Sequence, residues 1–292
     1  MKGDVPSFEL AAAASLAEAL ALRGRDYRPM AGGTDLMVML AAGKLAHTRY
    51  VNLWSVPELR GIEVTPDAIT LGALTTYTEL QAHPTLRAEL PMLCQAGSET
   101  GGVAIQNRGT LGGNIANASP AADSPPALLA YGADVELVSE RGARWVPYDS
   151  FHTGYKQMIL AEDELVSRVR LPRRQGTRVH FYRKVGPRKA QAISKVCFAA
   201  CADVEGARIL EVRIALGGVA PTIPRCKRTE AVLREHLASP DATRLAKEAL
   251  ATEIAPIDDV RSNARYRRKV CENLLVDFML RVRAACGIGS PS

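Results

Sequence analysis

Two pairs of adjacent glycines constrain this chain most, because a glycine pair lets a backbone approach a ligand more closely than other residues allow. The first is Gly32-Gly33 in RPMAGGTDL (28–36), and the second is Gly112-Gly113 in TLGGNIANASPAAD (110–123). The first pair lies between a predicted strand and a predicted helix. Exposed amides and the positive end of a helix favour an anion at such a turn.

Neither glycine motif has the spacing of a common nucleotide-binding fingerprint. No Gly-Lys-Ser/Thr follows at the Walker A distance, and adjacent glycines do not fit G-x-G-x-x-G. Alone, the first motif is also explained by a tight strand-to-helix turn, and the second by a polar loop before a helix beginning near Ser124. Together, the two turns predict a dinucleotide bound across two modules, with each turn holding part of its pyrophosphate.

Polar side chains in the second motif favour a ligand with sugar or ring groups. Asn114, Asn117 and Ser119 can donate hydrogen bonds, and Asp123 can accept them from hydroxyls or ring N–H groups. The six cysteines show no C-x-x-C spacing, and the five histidines lie apart from them. These spacings argue against the usual zinc and iron–sulfur signatures, so we predict no metal site in this chain.

Composition excludes several other classes of protein. The apolar runs are too short to span a membrane, and the N-terminus lacks the apolar region of a secretory signal, so we expect a cytoplasmic protein. The net charge is +6, with basic clusters late in the chain, but only 5% of residues are aromatic. A nucleic-acid-binding surface usually interleaves aromatic with basic residues, so this composition argues against one.

The residue pattern predicts three mixed helix-and-strand segments, with boundaries near 56 and 175. In the first, we expect a helix over 10–23 and a glycine turn followed by a helix with Thr34 or Asp35 as its N-cap. The second should contain a hairpin that turns at residues 140–142. In the third, amphipathic helices are expected over 229–252 and 263–286.

Three stretches carry a family resemblance that covers nearly the whole chain. AGGTDL (31–36), GTLGGNIANASPAADSPPALLA (109–130) and FYRKVGPRKAQAISKV (181–196) resemble the FAD-binding subunit of molybdenum hydroxylases, most closely the bacterial xanthine dehydrogenase type. The resemblance implies an α+β fold. Its FAD-binding part, of the vanillyl-alcohol-oxidase type, would span 1–175 with subdomains of about 1–56 and 57–175, and a smaller C-terminal α+β domain would span 176–292.

The resemblance also implies a set of FAD-binding residues. The first motif would contact the pyrophosphate, the second would contact the pyrophosphate and ribityl chain, and Asp123 would lie on the flavin side. No residue is expected to act as a catalytic acid or base. The implied positions are Arg28, Pro29, Met30, Ala31, Gly32, Gly33, Thr34, Asp35, Thr100, Thr110, Leu111, Gly112, Gly113, Asn114, Asp123, Val166 and Lys184.

The family's complexes imply the cofactors and partners. A large subunit would carry molybdopterin, a small subunit would carry two [2Fe-2S] clusters, and FAD here would pass electrons to NAD in purine metabolism. The alternatives are another hydroxylase acting on carbon monoxide, aldehydes or N-heterocycles with a different acceptor and, more distantly, a non-catalytic basic nucleotide-binding module. The basic loop 183–191 fits either a solvated hairpin or a neighbour of the flavin, and RYRRK (265–269) fits either a solvated helix face or a docking patch.

Overall fold

The computed structural model describes residues 7–288, which form three successive units. The first unit is a parallel sheet in the order β1-β3-β2 with two short helices. Its elements are β1 (Glu9–Ala12), α1 (Leu16–Arg23), β2 (Arg28–Met30), α2 (Leu36–Ala41) and β3 (Arg49–Asn52).

The helix predicted over 10–23 is shorter than expected. The Ser15 side chain accepts a hydrogen bond from the Glu18 amide and caps α1, so the helix begins at Leu16. The residues before Ser15 pair with β3 instead, so sheet pairing overrides the helix preference of their alanines. Of the two predicted N-caps of α2, Thr34 and Asp35, the structure has Asp35. Its side chain makes no capping hydrogen bond.

The second unit is a five-stranded antiparallel sheet in the order β4-β5-β10-β6-β7, covered by helices. The predicted hairpin is confirmed, since β6 and β7 pair on either side of Glu140-Arg141. The elements are β4 (Ile62–Val64), β5 (Ala68–Gly72), α3 (Tyr77–Ala82), α4 (Pro84–Glu89), α5 (Pro91–Ser98), α6 (Val103–Gln106), α7 (Leu111–Ala116), α8 (Ser124–Tyr131), β6 (Asp134–Ser139), β7 (Gly142–Pro147), β8 (His152–Gly154), β9 (Gln157–Met158) and β10 (Leu165–Pro172).

The third unit is an antiparallel sheet in the order β11-β12-β13 with three helices on one face. The helix predicted over 229–252 is two helices. They are interrupted around Pro240, which has no amide hydrogen to donate to a helix. The elements are β11 (Thr177–Val185), β12 (Val196–Glu205), β13 (Arg208–Gly217), α9 (Lys227–His236), α10 (Ala242–Glu253) and α11 (Ala264–Ala285).

Helix α8 joins the second and third units. Every one of its residues is buried, because the helix packs on the helices and sheet of the second unit and on β12 and β13 of the third. Gly132 follows in the left-handed conformation (φ +72°) and ends the helix. The polar motif that precedes α8 is therefore held at the border between these two units.

The RYRRK cluster (265–269) does not form one solvated face. Arg265 and Lys269 are exposed, but Arg267 is buried. The Arg267 guanidinium donates to the carbonyls of Lys195 and Gly218, at 3.1 and 2.7 Å, and pairs with Asp259. This residue therefore ties α11 to the start of β12 and the end of β13, which lie side by side at one end of the antiparallel pair.

No helix within residues 7–288 combines the length and the apolar character needed to cross a bilayer.

His180 should make the fold sensitive to mild acid. Burial is the main cause that lowers its pKa from 6.5 to about 4, and its Nδ1 lies 3.1 Å from the Tyr131 hydroxyl. Below pH 6.5 the unfolded chain therefore binds a proton that the folded chain binds only near pH 4. The free energy of unfolding should decrease as the pH is lowered from 6.5 to 4.

Chemical denaturation of wild type and His180→Gln from pH 7 to 4 measures this effect. The substitution His180→Gln should reduce the loss of unfolding free energy on acidification. The exposed control His47→Gln should leave that loss unchanged. Equal pH slopes for wild type and His180→Gln would contradict the assignment.

Candidate cofactor-binding site

A large cavity lies where the three units meet. Its volume is about 890 Å³, within the range of cofactor sites, and both glycine motifs line it. The first unit contributes the turn after β2, the second contributes the segments around α6 and α7, and the third contributes residues 191–193 and Arg261. The site is therefore assembled from all three units.

The first glycine turn presents unbonded amides to this cavity. β2 ends at Met30, and Gly33 takes the left-handed conformation (φ +76°) that glycine adopts without strain. Among the hydrogen bonds within residues 7–288, none is donated by the amides of Gly32, Gly33 or Thr34. Three free donors on a concave surface suit an anion such as a phosphate.

The second glycine motif is a helix N-terminus rather than the turn that its sequence predicts. Thr110 is the N-cap of α7, and its hydroxyl accepts a hydrogen bond from the Gly113 amide at 3.1 Å. The Gly112 amide donates to the Ala73 carbonyl at 2.8 Å, which joins the start of α7 to the second unit's sheet. The amides of Leu111, Gly112 and Gly113 therefore all have acceptors within the chain, so this motif offers close approach at a capped helix end rather than free donors.

The two glycines of each pair have different roles. A Cβ on Gly32 would lie 1.6 Å from the carbonyl oxygen of Arg108, and a Cβ on Gly112 would lie 2.6 Å from the Cβ of Ala73. Gly33 and Gly113 have no backbone neighbour at such distances outside their own turns. Gly32 allows the first unit to pack on the second, Gly112 allows α7 to pack on the end of β5 within the second unit, and the second glycine of each pair leaves room in the cavity.

Asp123 is the centre of a buried polar cluster that the third unit completes. Its two carboxylate oxygens accept hydrogen bonds from Lys184 Nζ at 2.7 Å and from Ser194 Oγ at 2.6 Å. Lys184 Nζ also donates to the Glu99 carbonyl. Burial raises the pKa of Asp123 above its usual value, while Lys184 and Ser194 oppose that rise. The cluster fixes the carboxylate, whose remaining lone pairs can accept from a ligand.

Most of the sequence-predicted site residues meet at this cavity. The residues that line it are Pro29, Ala31, Gly32, Gly33, Thr34, Asp35, Thr100, Thr110, Gly112, Gly113, Asn114, Asp123 and Val166.

Four predicted residues do not line the cavity. Arg28 lies 3.6 Å from Asp26, Met30 packs beneath Gly33, and Leu111 is fully buried in the core. Lys184 reaches the site only through Asp123, because its ammonium is buried against that carboxylate. These four residues lie beside lining residues without lining the cavity themselves, and their contact with FAD stays a prediction.

Several cavity residues were not predicted from the sequence. Arg23, Gln191 and Arg261 line the cavity, and Ser194 holds Asp123. Ser194 lies within the quoted stretch 181–196, so its position could have been found there. Arg23 and Arg261 belong to segments with no cofactor motif, and only the packing of the units brings them to the cavity.

The lining of the cavity combines apolar and polar side chains. It includes the apolar Leu160, Leu165 and Val166 together with Arg23, Asp123, Arg261 and the segment 191–193. Within residues 7–288 there is no group of three His, Cys, Asp or Glu side chains placed to hold a metal ion.

Substitutions at the two kinds of glycine should have different consequences. Gly32→Ala places a methyl group on a backbone carbonyl, so the chain should lose about 3 kcal/mol of stability as the units separate. Gly113→Val places a Cβ 2.8 Å from the Thr110 hydroxyl, which should cost about 1 kcal/mol through the lost cap and fill the cavity.

Thermal unfolding and bound flavin, measured on both variants, separate the two effects. Gly113→Val should stay folded without flavin, whereas Gly32→Ala should unfold at a markedly lower temperature. Stoichiometric flavin in folded Gly113→Val would show that this glycine does not border the cofactor.

Two family models together cover almost all of the chain. Residues 6–174 match the FAD binding domain in molybdopterin dehydrogenase, and residues 181–282 match the CO dehydrogenase flavoprotein C-terminal domain. The fold is similar to the solved carbon monoxide dehydrogenase of Hydrogenophaga pseudoflava, with a TM-score of 0.91 and 30% identity over 96% of this chain and 99% of that one. These matches confirm the predicted fold class.

Curated relatives extend the likeness to several activities. A putative xanthine dehydrogenase FAD-binding subunit of Escherichia coli K12 is 31% identical over 281 residues, covering 94% of this chain and 96% of the relative. The carbon monoxide dehydrogenase medium chain of Hydrogenophaga pseudoflava is 30% identical over 285 residues, covering 96% and 99%. The chain therefore belongs to the family of FAD-binding medium subunits of molybdenum hydroxylases, as the motifs predicted.

Proposed function

We propose that this chain is the flavoprotein subunit of a xanthine dehydrogenase-type molybdenum hydroxylase. It would accept electrons from iron–sulfur clusters of a small subunit and pass them as hydride to NAD, while a molybdopterin subunit oxidises the substrate. The observation that carries the electron-transfer role is the split glycine cradle, with its three free amides, in a chain of this family.

The residues of the cavity fit FAD. The free amides of Gly32, Gly33 and Thr34 supply donors for a pyrophosphate, and the first turn of α7 lines the same cavity. The Asp123 carboxylate, fixed in position, can accept a hydrogen bond from a ring N–H. When bound, FAD supplies a carrier that takes up single electrons and transfers them in pairs.

The chain's own residues bind and orient this cofactor and control access to it. The glycine turns hold the phosphates, and Lys184 and Ser194 hold Asp123, so the ring end of the site is set before the cofactor enters. No side chain is required to move a proton on the organic substrate, because that reaction belongs to the molybdenum subunit in our proposal.

A cationic rim supports an acceptor that carries phosphates. The rim consists of Arg188, Lys189 and Arg261, all exposed. Arg261 lines the cavity, and Arg188 and Lys189 shortly precede the lining segment 191–193. Arg188 donates to the carbonyls of Ala190 and Gln191, and no ion pair of Arg188 or Lys189 with a carboxylate occurs within residues 7–288. Arg261 shares Asp259 with Arg267, so one carboxylate faces two guanidinium groups. The rim therefore keeps net positive charge that would attract a dinucleotide.

A second candidate function keeps the cofactor and changes the complex. The relatives named for xanthine dehydrogenase and for carbon monoxide dehydrogenase are 31% and 30% identical to this chain, so identity does not favour either substrate. The stretch 181–196 favours the xanthine type, as its sequence indicated. Purifying the chain with its co-expressed partners and assaying NAD reduction with hypoxanthine or xanthine tests the proposal. Reduction of a quinone or dye but not NAD would favour the second candidate.

Arg261 should strengthen the binding of NAD but not that of an acceptor without phosphates. In the assembled complex, Arg261→Gln should raise KM for NAD about fivefold, as expected for one exposed ionic contact of about 1 kcal/mol. Turnover with ferricyanide and flavin content should not change. Arg265→Gln, an exposed arginine on α11, is the matched control. An unchanged KM for NAD in Arg261→Gln would contradict the proposed acceptor site.

A further inference from the structure

Arg23 is a buried cation at the wall of the cofactor cavity. It lies in the last turn of α1, only 7% exposed, and lines the cavity. Leu20 and Tyr27, on either side of Arg23 in the sequence, belong to the buried hydrophobic cluster of the first unit. No glycine motif contains Arg23, and the sequence alone gave no reason to place it at the cofactor.

The guanidinium of Arg23 lacks the partners that a buried charge requires. Its Nε has no hydrogen-bond acceptor, and its Nη1 reaches only the Tyr27 carbonyl, at a long 3.5 Å. No carboxylate of residues 7–288 lies within ion-pair distance of it. An unpaired buried charge is costly, so a compensating anion is expected to come from outside the chain.

Neighbouring charges strengthen this expectation. Burial lowers the pKa of Arg23, and the nearby Arg28 lowers that pKa further. Asp26, Glu162 and Asp163 act in the opposite direction but make no direct contact with it. A ligand phosphate placed at this wall would compensate the buried positive charge and reduce the repulsion between the two arginines.

The part of the cavity lining near Arg23 suits the nucleotide half of the cofactor. Leu165 belongs to the buried cluster of the first unit, and it lines the cavity together with Leu160 and Val166, so this lining is apolar, as a purine base requires. The Asp123 carboxylate, which we assign as the acceptor for the flavin ring, is held by side chains of the third unit, whereas Arg23 comes from the first. With the pyrophosphate at the glycine turns and the ring at Asp123, the adenosine side of the cofactor is assigned to the Arg23 part of the lining.

We propose that Arg23 binds the adenosine-side phosphate of FAD and so makes the site select FAD over flavins that lack the adenylate. Arg23 is then a cofactor-specificity residue contributed by the first unit. The inference rests on FAD binding by the family and is independent of which acceptor the complex uses.

The test compares two flavins on the full chain after removal of its cofactor. Isothermal titration should show that Arg23→Gln weakens FAD binding about 10- to 100-fold, as expected for one charge-assisted hydrogen bond. Binding of FMN, which has no adenylate, should be unchanged, and competition by ADP against FAD should weaken in parallel. Arg23→Lys should restore part of the FAD affinity, because it keeps the charge without the planar donors.

Two controls separate binding from folding. Arg25→Gln changes an exposed arginine two positions away and should leave both flavin affinities as in the wild type. The unfolding temperature of cofactor-free Arg23→Gln should equal or exceed that of wild type, because an unpaired buried charge is removed. Equal weakening of FAD and FMN, undiminished ADP competition, or a lower unfolding temperature without the cofactor would each overturn the proposal.

Discussion

The close contact between Gly32 and the Arg108 carbonyl determines how the rest of the site is arranged. A side chain at that position would overlap the carbonyl, so the first unit can dock on the segment before α7 only through glycine. This docking brings two helix ends from distant parts of the chain to one cavity. Because Gly33 and the capped start of α7 then line one cavity, this cavity is a product of packing between units rather than of one loop.

The third unit completes this arrangement from the other side. Its β11 supplies Lys184 and the segment before β12 supplies Ser194 to Asp123, and Arg267 holds the loop that carries Arg261 beside the cavity. The fully buried α8 connects the same two units, so the Asp123 carboxylate has little freedom to move. The polar cluster and the surrounding core therefore support each other: the core orients the cluster, and the cluster satisfies the polar groups buried at the border.

The sequence predicted the segments of the site better than their geometry. The glycine pairs and Asp123 were recognisable because their residue types are uncommon in that order and carry chemistry locally. The start of α7 was mistaken for a turn, since Gly112 and Gly113 are poor helix formers and only the Thr110 cap and the contact with Ala73 stabilise a helix there. Isolated residues such as Arg23 could not be found, because their role depends on burial by segments far away in the chain.

The pairing of Asp123 with Lys184 and Ser194 also has a consequence for synthesis on the ribosome. Translation produces the glycine turns and Asp123 before Lys184 of β11 and before Ser194, which precedes β12. Until these segments have emerged and β11 has paired with β12, the nascent chain can present both glycine turns but holds the carboxylate without its lysine. The Asp123 side of the cavity therefore matures last, and under the proposed function a chain that holds flavin tightly has already folded its C-terminal unit.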